Sequence, residues 1–155
     1  VGTGLMGSGK GTKCRALTSC TTKLVRKEIM ATDGAKEFLE RTQQNRGYTL
    51  EMHHIMASED LEWAEKYHQF IEATYTSQRL LDRKTKELLQ IVVEAALRAD
   101  VEQIQAHVRV ALQEGASPRE ILEALQAVIA PMGALAFRRG LQAWAAETGF
   151  QVPQR

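Results

Sequence analysis

The stretch Asp82-Arg83-Lys84-Thr85-Lys86-Glu87-Leu88-Leu89-Gln90-Ile91-Val92-Val93-Glu94-Ala95-Ala96-Leu97 decides the fold. Asp82 is a good helix cap, and the residues after it are charged. From Leu88 to Leu97 the segment is apolar nearly all round, which predicts a helix buried at the centre of the molecule. The β-branched run Ile91-Val92-Val93 lies among Leu, Gln, Glu and Ala at helical phase, without glycine-bounded alternation, so it reads as helix.

Toward the C-terminus, Val101, Ile104, Val108, Ala111 and Leu112 form one stripe that stops at Gly115, a residue suited to ending a helix. Ser117-Pro118-Arg119-Glu120 then combines a Ser cap, a Pro at the first helical position and a Glu at the third, a capping box with its first φ already set. Ile121, Leu125, Val128 and Ile129 continue inward. Pro131-Met132-Gly133 interrupts, and Ala134 to Thr148 forms a last helix closed by Gly149.

Toward the N-terminus, Leu61, Ala64, Tyr67, His68, Ile71 and Tyr75 recur at three/four spacing behind a cap at Ser58, and Trp63, Tyr67, Phe70 and Tyr75, which could form an aromatic ligand box, have the spacing of a packed core face, the reading preferred. Tyr48 to Met56 is a short Met/His/Leu segment, and Ala35 to Arg46 suits a short helix ended by Gly47. The sequence predicts an all-α bundle of about six helices over 35–155, preceded by a flexible basic tail, 1–34.

That tail is rich in Gly, Thr, Ser and Lys and has no sustained hydrophobic period. It holds the only cysteines, Cys14 and Cys20, with no His placed to complete a zinc site, so they read as free thiols of a reducing cytoplasm. Gly4-Leu5-Met6-Gly7-Ser8-Gly9-Lys10-Gly11-Thr12 has the residue types of a phosphate-binding loop. Such a loop links a buried strand to a helix, whereas Val1-Gly2-Thr3 precedes this one and no later strand offers a magnesium-holding Asp. It is read as a Gly-rich tail.

With 155 residues and a net charge of +1, the chain suits one domain with a real core and has no field drawing it to nucleic acid or an anionic membrane. No apolar run reaches the length of a bilayer span, and cytoplasmic location is the expectation.

Three segments in order, Leu81-Asp82-Arg83-Lys84-Thr85-Lys86-Glu87-Leu88, Gln105-Ala106-His107-Val108-Arg109-Val110-Ala111-Leu112 and Gly115-Ala116-Ser117-Pro118-Arg119-Glu120-Ile121-Leu122-Glu123, resemble the carboxymuconolactone decarboxylase family, whose fold is that of alkylhydroperoxidase D. The likeness spans roughly 46–148, taking in Arg46-Gly47-Tyr48 and His53 more loosely. It implies an all-helical fold assembled as trimers or hexamers. The redox branch of that fold carries Cys-x-x-Cys with a His four residues after the second Cys. Counting back from His107, those places are taken by Asp100 and Gln103, which form neither thiolate nor disulfide. The resemblance therefore implies the non-cysteine branch, a lyase acting without cofactor on a small carboxylated lactone or related acid.

In such a reaction the carboxylate leaves as CO₂, its electrons run into the conjugated lactone, and the protein returns a proton. The resemblance points to His107 as the proton donor or enolate partner, to Glu87 as its orienter, to Arg83 or Arg109 as carboxylate anchors, to Gln103 on the same helix stripe, and to His53 as a lid. The plainer reading of His107 is a core-edge residue making one ordinary hydrogen bond, and of Glu87 a first-turn helix charge. His53 and His54 are adjacent, so on a helix they diverge by about 100° and make a poor metal pair; no metal is expected. The alternatives are a catalytically quiet oligomer that binds small acids, and a peroxidase using the tail thiols.

Overall fold

The structure, a computed structural model, describes residues 33–151 and Pro153. The basic tail as far as residue 32, the loop Gly4–Thr12, Cys14 and Cys20 lie outside the described residues.

Among the described residues there are eight α-helices, one π-helical turn and no strand. Helix α1 covers 33–46 and is followed by α2 (Glu51–Glu59), α3 (Leu61–Ile71), the π turn (Glu72–Thr76), α4 (Arg83–Leu97), α5 (Val101–Gln113), α6 (Pro118–Ala127), α7 (Ile129–Met132) and α8 (Ala134–Thr148). The expectation of about six helices is corrected in two places. The Met/His segment is itself helical as α2, and the chain around Pro131 makes the separate short helix α7 before Gly133 turns it.

Local chemistry explains most boundaries. The Asp82 carboxylate accepts from the Thr85 backbone N–H at 2.7 Å, and Ser117 and Glu120 complete a reciprocal capping box at the start of α6. Ser58 lies inside α2, and the cap of α3 is Asp60, which accepts from the Trp63 backbone N–H at 3.1 Å. Both Ser58 and Asp60 are favourable cap residues, so the choice between them was not a local one.

Helices α4, α5 and α8 pack on one another, and α6 lies across α8. Their core is Ile91 and Ala95 of α4, Ile104, Val108 and Ala111 of α5, Ile121 and Leu125 of α6 and Ala143 of α8. Each fully buried Ile or Leu is worth about 1.5–3 kcal/mol of transfer free energy. A smaller cluster of Phe38, Ala57 and Ala64 joins α1, α2 and α3.

Helix α4 is not buried all round as its apolar run suggested. Leu89, Val93 and Leu97 are 50%, 50% and 76% exposed, while Glu94, the lone carboxylate of the run, is buried. The aromatic face also differs from the packed core predicted for it. Trp63 and Phe70 are exposed, and only Tyr75 is buried among them. No helix of the described residues is long and apolar enough to cross a membrane.

Candidate functional site

A cavity of about 270 Å³ opens between α2, α3, the π turn, α4 and α5. Its walls include Arg46, Tyr48, His53, Tyr67, Tyr75, Glu94, Gln103 and His107. Apolar surface is contributed by Leu50, Met52, Phe70 and Ile71.

His107 is buried on the inner face of α5, beside Ile104 and Val108. Its Nδ1 lies 2.7 Å from Glu87 Oε2, and its Nε2 lies 3.2 Å from Glu94 Oε1. Tyr48 and Tyr75 flank the ring edge-on, with centroids 5.2 and 6.0 Å away, and their hydroxyls reach Nε2 at 3.3 Å and Nδ1 at 3.1 Å. Burial opposes a charge on the imidazole, but hydrogen bonds to Glu87 and Glu94 and their negative charges outweigh it, so the His107 pKa is raised.

Both phenols are held in the protonated form. Burial, partly offset by the charge of Arg46, pushes Tyr48 up to about 12. Burial, with the charge and hydrogen bond of Glu87, pushes Tyr75 higher still. At neutral pH each is therefore a hydroxyl donor.

Backbone geometry sets these groups. Gly47 adopts φ 86°, and a Cβ there would meet Val110 Cγ2 at 2.9 Å, so the turn after α1 needs a residue without a side chain. That turn delivers Tyr48 to α5, where it packs with Ala106 and Val110. The π turn brings Tyr75 inward, and Lys86 Nζ fixes its end by donating to the carbonyls of Tyr75 and Ser77 at 3.1 and 2.8 Å. Such extra-residue turns recur at functional sites.

The residues singled out from sequence fall in different places. Glu87, fully buried, bridges His107 and Arg83. Gln103 donates to Glu94 Oε1 at 2.7 Å, and His53 is buried in the cavity wall. Arg83 pairs with Glu87, donates to the Asn45 and Arg46 carbonyls and lies over the Tyr75 ring, so its guanidinium is already engaged. Arg109 is not brought to this group. It projects from the other side of α5 and makes a two-pronged pair with Glu147. Asp100 is exposed at the start of α5. Among the described residues no cluster of three or more His, Cys, Asp or Glu side chains is arranged for a metal ion.

Sequence reasoning gave no role at the site to Tyr48, Tyr75, Glu94 or Arg46, although Arg46 and Tyr48 fell within the looser part of the resemblance. Glu94 did carry a signal, as the one acid inside an apolar run and seven residues, two helical turns, beyond Glu87. Arg46 is 6% exposed, and among the described residues its Nε and Nη2 have no hydrogen-bond partner; the same holds for Glu94 Oε2.

Residues 62–146 match the family model described as Carboxymuconolactone decarboxylase family. A crystal structure of a candidate carboxymuconolactone decarboxylase from Burkholderia xenovorans LB400 superposes with a TM-score of 0.68 at 22% sequence identity, covering 77% of this chain and 92% of that one. At that identity the likeness shows a shared fold. No curated protein matches the chain.

Proposed function

Since the chain belongs to the carboxymuconolactone decarboxylase family, we propose that the cavity at His107 decarboxylates a small carboxylated lactone or a related unsaturated acid without an added cofactor. The observation that carries this reading is the position of His107, gripped at both ring nitrogens by carboxylates and facing the cavity between two protonated tyrosines.

The substrate's own conjugated carbonyl receives the electron pair of the breaking C–C bond as CO₂ departs. The dienolate so formed accepts a hydrogen bond from Tyr48 and a proton on carbon from Nε2 of His107. Glu87, braced by Arg83, keeps the imidazole oriented. Glu94, whose Oε1 lies 3.2 Å from Nε2, favours the protonated ring, which regains its proton from water once product leaves the cavity.

One observation favours the quieter alternative, an oligomer that binds small acids without turning them over. Both nitrogens of His107 already have acidic partners, as they would in a purely structural ion pair. The two readings separate on His107→Gln, assayed by CO₂ release from a panel of unsaturated carboxylated lactones. The lyase reading expects a loss of at least about a hundredfold in kcat with the fold intact; turnover equal to that of the unaltered protein removes His107 from the chemistry.

We also propose that the protein is a homo-oligomer joined through α4. The stripe Leu89, Val93 and Leu97 leaves apolar surface on the outside of an otherwise well-packed helix.

A further inference from the structure

Arg46 and His53 pose a hydrogen-bonding problem that this cavity does not solve by itself. The backbone N–H of Leu50 donates to His53 Nδ1 at 2.9 Å, so that nitrogen is an acceptor. Burial and the adjacent charge of Arg46 push His53 down to about 4, which keeps the ring neutral near pH 7. A neutral imidazole that accepts at Nδ1 carries its hydrogen on Nε2. Yet Nε2 faces Arg46 Nη1 at 3.1 Å, and a guanidinium nitrogen has only hydrogens to offer. Two donors meet, with no acceptor between them.

The rest of the guanidinium is as poorly served. Nε and Nη2 have no partner among the described residues, and no acidic residue among them forms a salt bridge with Arg46. A buried cation in this condition is costly unless something else supplies the negative charge. The ring of Tyr67, 5.4 Å away, gives partial compensation through its face, and the neighbouring Tyr48 hydroxyl adds a further polar contact but no negative charge.

Nε and Nη2 lie on one edge of the guanidinium, where their hydrogens run parallel at the spacing of two carboxylate oxygens. We infer that this edge of Arg46 is the seat of a carboxylate of the bound small molecule, received in place of the ion pair the protein itself omits. This deepens the proposed function and rests on reading the cavity as the substrate site. The anchor is thus Arg46, whereas Arg83 and Arg109 are committed to Glu87 and Glu147.

The surroundings fit a carboxylate with an apolar or ring-shaped body. Leu50, Met52, Phe70 and Ile71 line the same cavity. Tyr48 neighbours Arg46 and reaches His107 with its hydroxyl, so the anchored acid lies one phenol away from the imidazole. Both unpaired nitrogens are shielded from bulk water. The anion reaches that edge only when a neighbouring side chain moves, and Tyr67, half-buried over the guanidinium and part of the cavity wall, borders it.

The test is equilibrium binding to the full chain, measured by calorimetry and thermal shift, with benzoate as the probe and benzamide as its uncharged counterpart. Benzoate is expected to bind and benzamide not. Arg46→Lys, which keeps the charge but loses the two-pronged edge, should weaken benzoate by about tenfold or more, and Arg46→Gln should abolish binding. Arg109→Gln should bind as the unaltered protein does.

Because no salt bridge holds Arg46 among the described residues, Arg46→Gln is expected to melt no lower than the unaltered protein without ligand. Should that variant fail to fold, Arg46→Lys and the benzoate/benzamide comparison decide the matter. Equal binding of the two probes, no binding of benzoate, or benzoate affinity unchanged in either Arg46 variant overturns the inference. None of these readouts needs turnover, so inactivity toward lactones would sink the lyase reading alone.

Discussion

Glu87 and Glu94 stand seven residues apart on α4 and face one imidazole, Glu87 Oε2 lying 2.7 Å from Nδ1 of His107 and Glu94 Oε1 3.2 Å from Nε2. Two helical turns bring a side chain back to nearly the same face, so a single helix presents both acids to α5. Their charges favour the imidazolium against the cost of burying it. Glu94→Gln should therefore lower the His107 pKa, while the contact to Glu87 keeps the ring in place. The titration midpoint of the His107 Cε1 proton, followed by NMR, is the measurement. An unchanged midpoint would show that Glu94 exerts no field at Nε2.

His107 and His53 should make stability depend on pH in opposite senses. His107 has a folded-state pKa above its ordinary value of 6.5. Its contribution is complete below pH 6.5 and is lost as pH rises through the folded-state value. His53 is depressed from 6.5 to about 4, first by burial and then by Arg46, with His54 and His68 adding smaller effects. Its contribution is complete above pH 6.5 and is lost as pH falls toward 4. Urea midpoints measured across that range should decline less steeply in His53→Gln, whose side chain still accepts from the Leu50 N–H. A slope identical to that of the unaltered protein would mean that His53 is not held neutral by its surroundings.

The sequence made the helical class legible because its evidence is local. Asp82 and Ser117 cap helices whose first turns they themselves touch, and the Ile104/Val108/Ala111 stripe needs only helical periodicity to be placed inside. The meeting of Glu87 with His107 was foreshadowed by the family resemblance, which pointed to Glu87 as the orienter of that imidazole. Arg46 and Tyr75 were not legible in that way. Tyr75 owes its direction to a π turn that shifts helical phase, so its three/four spacing pointed to a packed core and not to an imidazole. Arg46 fell within the looser part of the resemblance but without a role, because its lack of partners is a property of the packed cavity.

The proposed homo-oligomer places Val93 at the middle of the exposed α4 stripe. Val93→Glu would put a carboxylate among apolar groups at a subunit contact, where a charge without a partner is strongly disfavoured. On the surface of a monomer the same change should be nearly neutral for stability. Light scattering coupled to gel filtration should show the mass falling to that of one chain while the far-ultraviolet dichroism stays helical. If the mass does not change, the contact lies on another face; a monomeric unaltered protein ends the proposal.

Gly140 sits where α8 crosses the core, and its replacement sets two effects against each other. Alanine in mid-helix gains about 0.8–1 kcal/mol in propensity over glycine. A Cβ at position 140, however, would come within 2.5 Å of Leu125 Cδ2 and 3.1 Å of its Cδ1, with Ala95 Cβ at 3.4 Å on another side. Leu125 is fully buried, so its methyl groups have no free space to retreat into and the helices themselves must separate. Overpacking of this kind costs about 1–3 kcal/mol, which exceeds the propensity gain. Gly140→Ala should thus lower the urea midpoint by a net loss of about 1 kcal/mol, the difference of those two effects. A stabilised variant would mean that Leu125 can change rotamer within the core and that α8 approaches α6 less tightly than its contacts indicate.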